Sequence, residues 1–67
     1  MNIHGRQIAK LLSVSDIVAE RVQYEMACGG FDFSECTQTE FNKEARSTYA
    51  ELVRTKVVLP EQARRKG

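Results

Sequence analysis

Apolar residues recur along this chain at helical spacing in three separate stretches. Ile8, Leu11 and Leu12 lie three and four apart, which places them on one stripe of a helix. Val18, Val22 and Met26 follow at intervals of four, with Ile17 and Tyr24 seven apart beside them. Together they predict a second helix with a wide apolar face. Phe41, Ala45, Tyr49, Leu52 and Val53 form the clearest stripe of all. Opposite it stand Lys43, Glu44, Arg46, Ser47, Glu51 and Arg54, a polar face of mixed sign.

The breaks between the stripes set the expected boundaries, with helices over 5–12, 15–28 and 38–55. Gly5 weakens the start of the first helix, so its ordered start is expected near Arg6. Ser13-Val14-Ser15 interrupts the pattern. Ser13 or Ser15 supplies an N-cap for the second helix, and Asp16 sits in its first turn, where the helix dipole favours an anion. Val14 is the expected buried residue of the turn. Gly29-Gly30 ends the second helix, one glycine taking the left-handed position beyond the cap. Thr37 and Glu40 fit a capping box at the third helix, with Cys36 and Phe41 at the two positions of a hydrophobic staple.

Two segments fall outside this scheme. Phe31 and Phe33 alternate around Asp32, so an extended chain points both the same way. They either close one end of the core or form an exposed aromatic contact for a partner. Further on, Lys56-Val57-Val58-Leu59 precedes Pro60, and a residue before proline is pushed out of the α region. An extended C-terminal arm is expected, with Pro60 able to open a short fourth helix and residues 59–67 forming a basic tail. The fold class is therefore all-α: one small three-helix domain spanning residues 1–67.

Size and charge narrow the function. A chain of 67 residues has room for one domain, and folding buries only roughly 60% of the surface that the unfolded chain exposes. Homodimerisation would relieve so small a core. Ten Lys and Arg stand against nine Asp and Glu, a formal net charge of +1. Binding to nucleic acid or anionic membrane by bulk charge is thereby excluded, and any such contact needs a local patch. Neither a signal peptide nor an apolar run of about 18 residues is present, so no membrane partner and a cytoplasmic setting are expected.

The side chains offer little chemistry. His4, Cys28 and Cys36 are the soft metal ligands, too few and too irregularly spaced for a structural zinc site. Free thiols are expected, with a Cys28–Cys36 disulfide across the Gly29-Gly30 turn as the alternative. A Cys–His pair lacks an orienting third group and an oxyanion hole. No glycine loop opens a helix to cradle phosphate. The chain is expected to have no enzymatic activity, no cofactor and no small-molecule substrate.

Residues 7–26 carry one resemblance. Ile8, the small Ala9, Leu12, Val14 in the turn and Val22 resemble the packing positions of the helix-turn-helix superfamily. Ser13 stands where such motifs often have glycine, and Ala19 where they carry a larger β-branched residue, a role Val18 takes if the register slips. The resemblance implies two crossing helices and a DNA-binding regulator, with the second helix in the major groove. Ser15, Arg21 and Gln23 would then face bases. Arg6, Lys10, Arg64, Arg65 and Lys66 would hold phosphates. Asp16 and Glu20 oppose that role. The alternative is a protein-interaction module, adaptor or inhibitor, contacting its partner through Phe31, Phe33 and the polar face of the third helix at Arg46 and Arg54.

Overall fold

The computed structural model describes residues 3–55, which form three helices. These are α1 (Ile3–Leu12), α2 (Asp16–Cys28) and α3 (Gln38–Arg54). No strand occurs among the described residues. The domain is all-α, as the three apolar stripes require. The expected C-terminal arm, the short fourth helix and the basic tail lie outside the described residues.

α1 starts earlier than glycine's low helix propensity implies. It opens at Ile3 and runs through Gly5, which is buried. A glycine inside a helix costs about 1 kcal/mol relative to alanine. Here it occupies the packed side of the helix, and that packing overrides the local preference.

The ends of α1 and α2 share one geometry. At the end of α2 the Phe31 N–H donates to the Met26 carbonyl over 3.1 Å and the Gly30 N–H to that of Ala27 over 3.0 Å. This is the Schellman pattern, which requires a left-handed residue. Gly30 supplies it at φ 87°, so the second of the two glycines does the work. At the end of α1 the Val14 N–H reaches back to the Ala9 carbonyl over 3.2 Å, and the left-handed residue is Ser13 at φ 54°. Ser13 therefore closes α1, and Ser15 caps α2, its hydroxyl accepting from the Val18 N–H at 3.4 Å.

A left-handed residue with a Cβ carries roughly 1–2 kcal/mol of steric cost. Replacing Ser13 by glycine removes most of it, offset partly by a freer unfolded chain. Ser13→Gly is expected to stabilise the domain by about 1 kcal/mol and to raise its melting temperature by roughly 4–8 °C. A thermal melt followed by circular dichroism measures this. An unchanged or lower midpoint would contradict the assignment of strain to Ser13.

α3 begins with the complete capping box. The Glu40 N–H donates to the Thr37 hydroxyl oxygen at 3.1 Å, and the Thr37 N–H to the Glu40 carboxylate at 2.9 Å. Those bonds hold the Glu40 carboxyl below its ordinary value, the Thr37 N–H first and its side chain second. Asp32 is lowered in the same direction, chiefly by the Ser34 hydroxyl and then by the Ser34 N–H. A carboxyl with a depressed folded pKa adds stability above its unfolded value, near pH 4, and loses it as pH falls through the folded value. The melting temperature is therefore expected to hold from pH 7 to about pH 5 and to fall below about pH 4. Glu40→Gln keeps an acceptor in the box and should make that fall shallower. An acid profile identical to that of the wild type would remove Glu40 from the account.

The core is small and continuous: Ile8, Ala9, Val14, Val18, Ala19, Val22, Met26, Phe41, Ala45 and Leu52. Val14, expected to fill the turn, is buried within it. Val18 and Ala19 are buried together, so α2 needs no slipped register to present both. Alanines at 9, 19 and 45 leave space for the helices to approach.

One end of this core is aromatic. Phe41 at the start of α3 is buried, and Phe31 and Phe33 pack against the cluster half-buried. The Phe31 and Phe33 rings meet edge-on with centroids 5.1 Å apart, and His4 of α1 lies 4.9 Å from Phe33. Such pairs contribute about 0.5–1.5 kcal/mol beyond the area they bury. Asp32 fixes the connecting loop by accepting from the N–H groups of Ser34 and Glu35.

The wide apolar face expected on α2 is narrower in the structure. Val18, Val22 and Met26 are buried, but Ile17 is 81% and Tyr24 60% exposed. Residues seven apart share a face of a helix, and the face shared by Ile17 and Tyr24 is the one turned away from the core.

Candidate functional site

Three large apolar side chains are exposed among the described residues: Ile3 alone on α1, and Ile17 and Tyr24 together on the outward ridge of α2. Ile17 and Tyr24 stand two turns apart along it, and Arg21 lies between them. The Arg21 guanidinium sits 5.7 Å from the centre of the Tyr24 ring and pairs with Glu25 at 3.1 Å. Cys28, an exposed free thiol, follows one turn beyond Tyr24. It pushes the Tyr24 phenol above its ordinary value, mainly by hydrogen bonding. Asp16 and Glu20 are exposed beside the ridge and make no ion pair among the described residues.

The residues expected to contact DNA are dispersed. Arg6 and Lys10 are exposed on α1. Ser15 is half-buried, its hydroxyl oxygen engaged in the α2 cap. Arg21 is exposed but neutralised by Glu25, and Gln23 is half-buried. Arg64, Arg65 and Lys66 lie outside the described residues. Over residues 3–55 the chain has six Lys and Arg against eight Asp and Glu. The described body is therefore net acidic, and so is α2 itself.

The alternative contact residues fare differently from one another. Phe31 and Phe33 serve the core, closing its end against His4 and Phe41. Arg46 is exposed on α3, and Arg54 pairs with Glu51 one turn earlier. Between α2 and α3 runs a shallow groove of about 280 Å³ lined by Glu25, Ser47, Thr48, Glu51 and Leu52. Both of its carboxylates are ion-paired.

Among the described residues no cluster of three or more His, Cys, Asp or Glu is arranged to hold a metal ion. Cys28 is exposed and Cys36 half-buried, both as free thiols. The Cys36 thiol donates to the Phe33 carbonyl at 3.5 Å. His4 Nδ1 is buried with no hydrogen-bond partner, enclosed by aromatic rings. No helix among the described residues is long and apolar enough to cross a membrane.

Spacing alone did not reveal the ridge. Ile17 and Tyr24 share a face by their spacing, and the burial of Val18, Ala19, Val22 and Met26 is what shows that this face points outward. Comparison with known proteins adds no family, for the chain matches no family model, no curated protein and no solved structure.

Proposed function

We propose that this chain is a non-enzymatic protein-interaction module whose docking face is the outward ridge of α2. The observation that carries the reading is the joint exposure of Ile17 and Tyr24, at 81% and 60%, on a single line. An isolated exposed apolar residue is ordinary. An aliphatic and a tyrosine aligned on one ridge, with an arginine stacked between them, have the composition of an interface centre. The salt bridge and ring contact also hold Arg21 in place before a partner arrives, which lowers the entropy lost on binding.

A second reading rests on shape. The left-handed Ser13 and buried Val14 join α1 to α2 by a short turn, a kind of connection that helix-turn-helix DNA regulators also have. The charge of α2 opposes it, because Asp16 and Glu20 would face phosphates.

One titration separates the two. Mixed duplex DNA is added to the full chain at low salt, and binding is followed by fluorescence anisotropy. The interaction reading expects no saturable binding. Saturable binding that weakens steeply with added salt would replace it with the DNA reading. Capture from the source cells with the wild-type chain, set against Ile17→Glu, then tests for the protein partner.

A further inference from the structure

The ridge of α2 has a chemistry that selects among protein partners. We infer that it docks an amphipathic helix with an aliphatic seam and a rim of Lys or Arg. The inference rests on the reading of the ridge as a docking face and goes further by naming what fits it.

Charge decides the class of occupant. Asp16 and Glu20 are exposed and lack ion-pair partners among the described residues. The one cation of the ridge, Arg21, is already paired with Glu25. What remains available along the apolar line is negative. A partner carrying Lys or Arg at its rim gains there, while an acidic rim is repelled. A second copy of this chain is disfavoured, because it would bring its own Asp16 and Glu20 against like charges. The same two carboxylates disfavour nucleic acid.

Geometry decides the form of the occupant. Ile17 and Tyr24 are about 10 Å apart along the axis, at roughly 1.5 Å per residue. A helix laid along α2 meets both with apolar residues spaced over two of its own turns, ridge into groove. Ala27, exposed near the C-terminal end, leaves room for a side chain of the incoming helix. An extended strand would find no free sheet edge among the described residues to add to.

The test uses the full 15N-labelled chain and two synthetic helical peptides of about 15 residues. Both have the same leucine seam; one has lysine at the rim and the other glutamate. Titrations run at about 150 mM salt, where weak long-range attraction is screened. The lysine peptide is expected to shift the amide signals of α2 and to bind about tenfold more tightly than the glutamate peptide. The Asp16→Lys/Glu20→Lys double variant should reverse that preference. Equal affinity for the two peptides, or no reversal, with shifts still on α2, overturns the basic partner and leaves a docking ridge. Shifts centred elsewhere, or binding indifferent to Ile17→Glu, overturn the ridge itself. Saturable binding of duplex DNA to the chain alone, with shifts on α2, overturns both.

Discussion

Phe41→Ala is expected to abolish cooperative folding of this domain at ordinary temperatures, or to leave it barely folded. Phe41 is 3% exposed and stands where three parts of the chain meet. Its ring centre lies 6.0 Å from that of His4 in α1, 6.4 Å from Phe31 and 6.2 Å from Phe33. It also occupies the position in the first turns of α3 that the staple with Cys36 requires. Truncating a buried phenylalanine costs about 3–5 kcal/mol, the lost transfer energy plus the cavity left behind. A domain of this size has only roughly 3–10 kcal/mol in total. The midpoint of a thermal melt should therefore fall by roughly 15 °C or more. Phe33→Ala should cost less, because Phe33 is already half-exposed. A fall of under about 5 °C for Phe41→Ala would show that the aromatic cluster contributes little beyond its contacts.

The same cluster shows where local pattern stops being informative. Periodicity placed Phe41 on the buried stripe of α3 and marked the capping box, because both depend on residues within one helix. The partnership of His4 with Phe33 and Phe41 joins residues far apart in the chain, and no spacing rule encodes it. The expected spans 15–28 and 38–55 agree closely with Asp16–Cys28 and Gln38–Arg54, since each helix carries its own cap. α1 starts at Ile3, two residues before the expected span 5–12 and three before Arg6, because glycine's cost is local while the packing that overrides it is tertiary. At Ser13 the difficulty is different. Serine is a common N-cap residue, so its identity suggested the start of α2. Its left-handed backbone instead closes α1, a position at which glycine would have been an unmistakable sign. Their spacing puts Ile17 and Tyr24 on one helix and one face, but seven-residue spacing is silent about which face that is. Only the burial of Val18, Ala19, Val22 and Met26 fixes the phase.

That phase leads to the opposite expectation for the ridge. Ile17→Glu and Tyr24→Ser should leave the melting temperature nearly unchanged and yet remove binding of the partner. Neither side chain belongs to the buried core, and substitutions at such positions usually change stability by no more than about 0.5 kcal/mol. Tyr24→Ser also releases Arg21 from its ring, so a slight decrease is expected there alone. At an interface the same two side chains become the anchors. Removing a residue of that kind costs about 2 kcal/mol or more, at least thirtyfold in affinity. Ile17→Glu sets a carboxylate against the aliphatic seam of the partner, a desolvation cost that outweighs its added attraction for a basic rim, and it should have the larger effect. Calorimetric titration against the captured partner, beside a thermal melt of each variant, measures the two quantities separately. Loss of binding with a retained melt assigns the ridge to recognition. A drop of several degrees with binding intact would return Ile17 and Tyr24 to a structural role, and the docking face would have to be sought on α1 or α3.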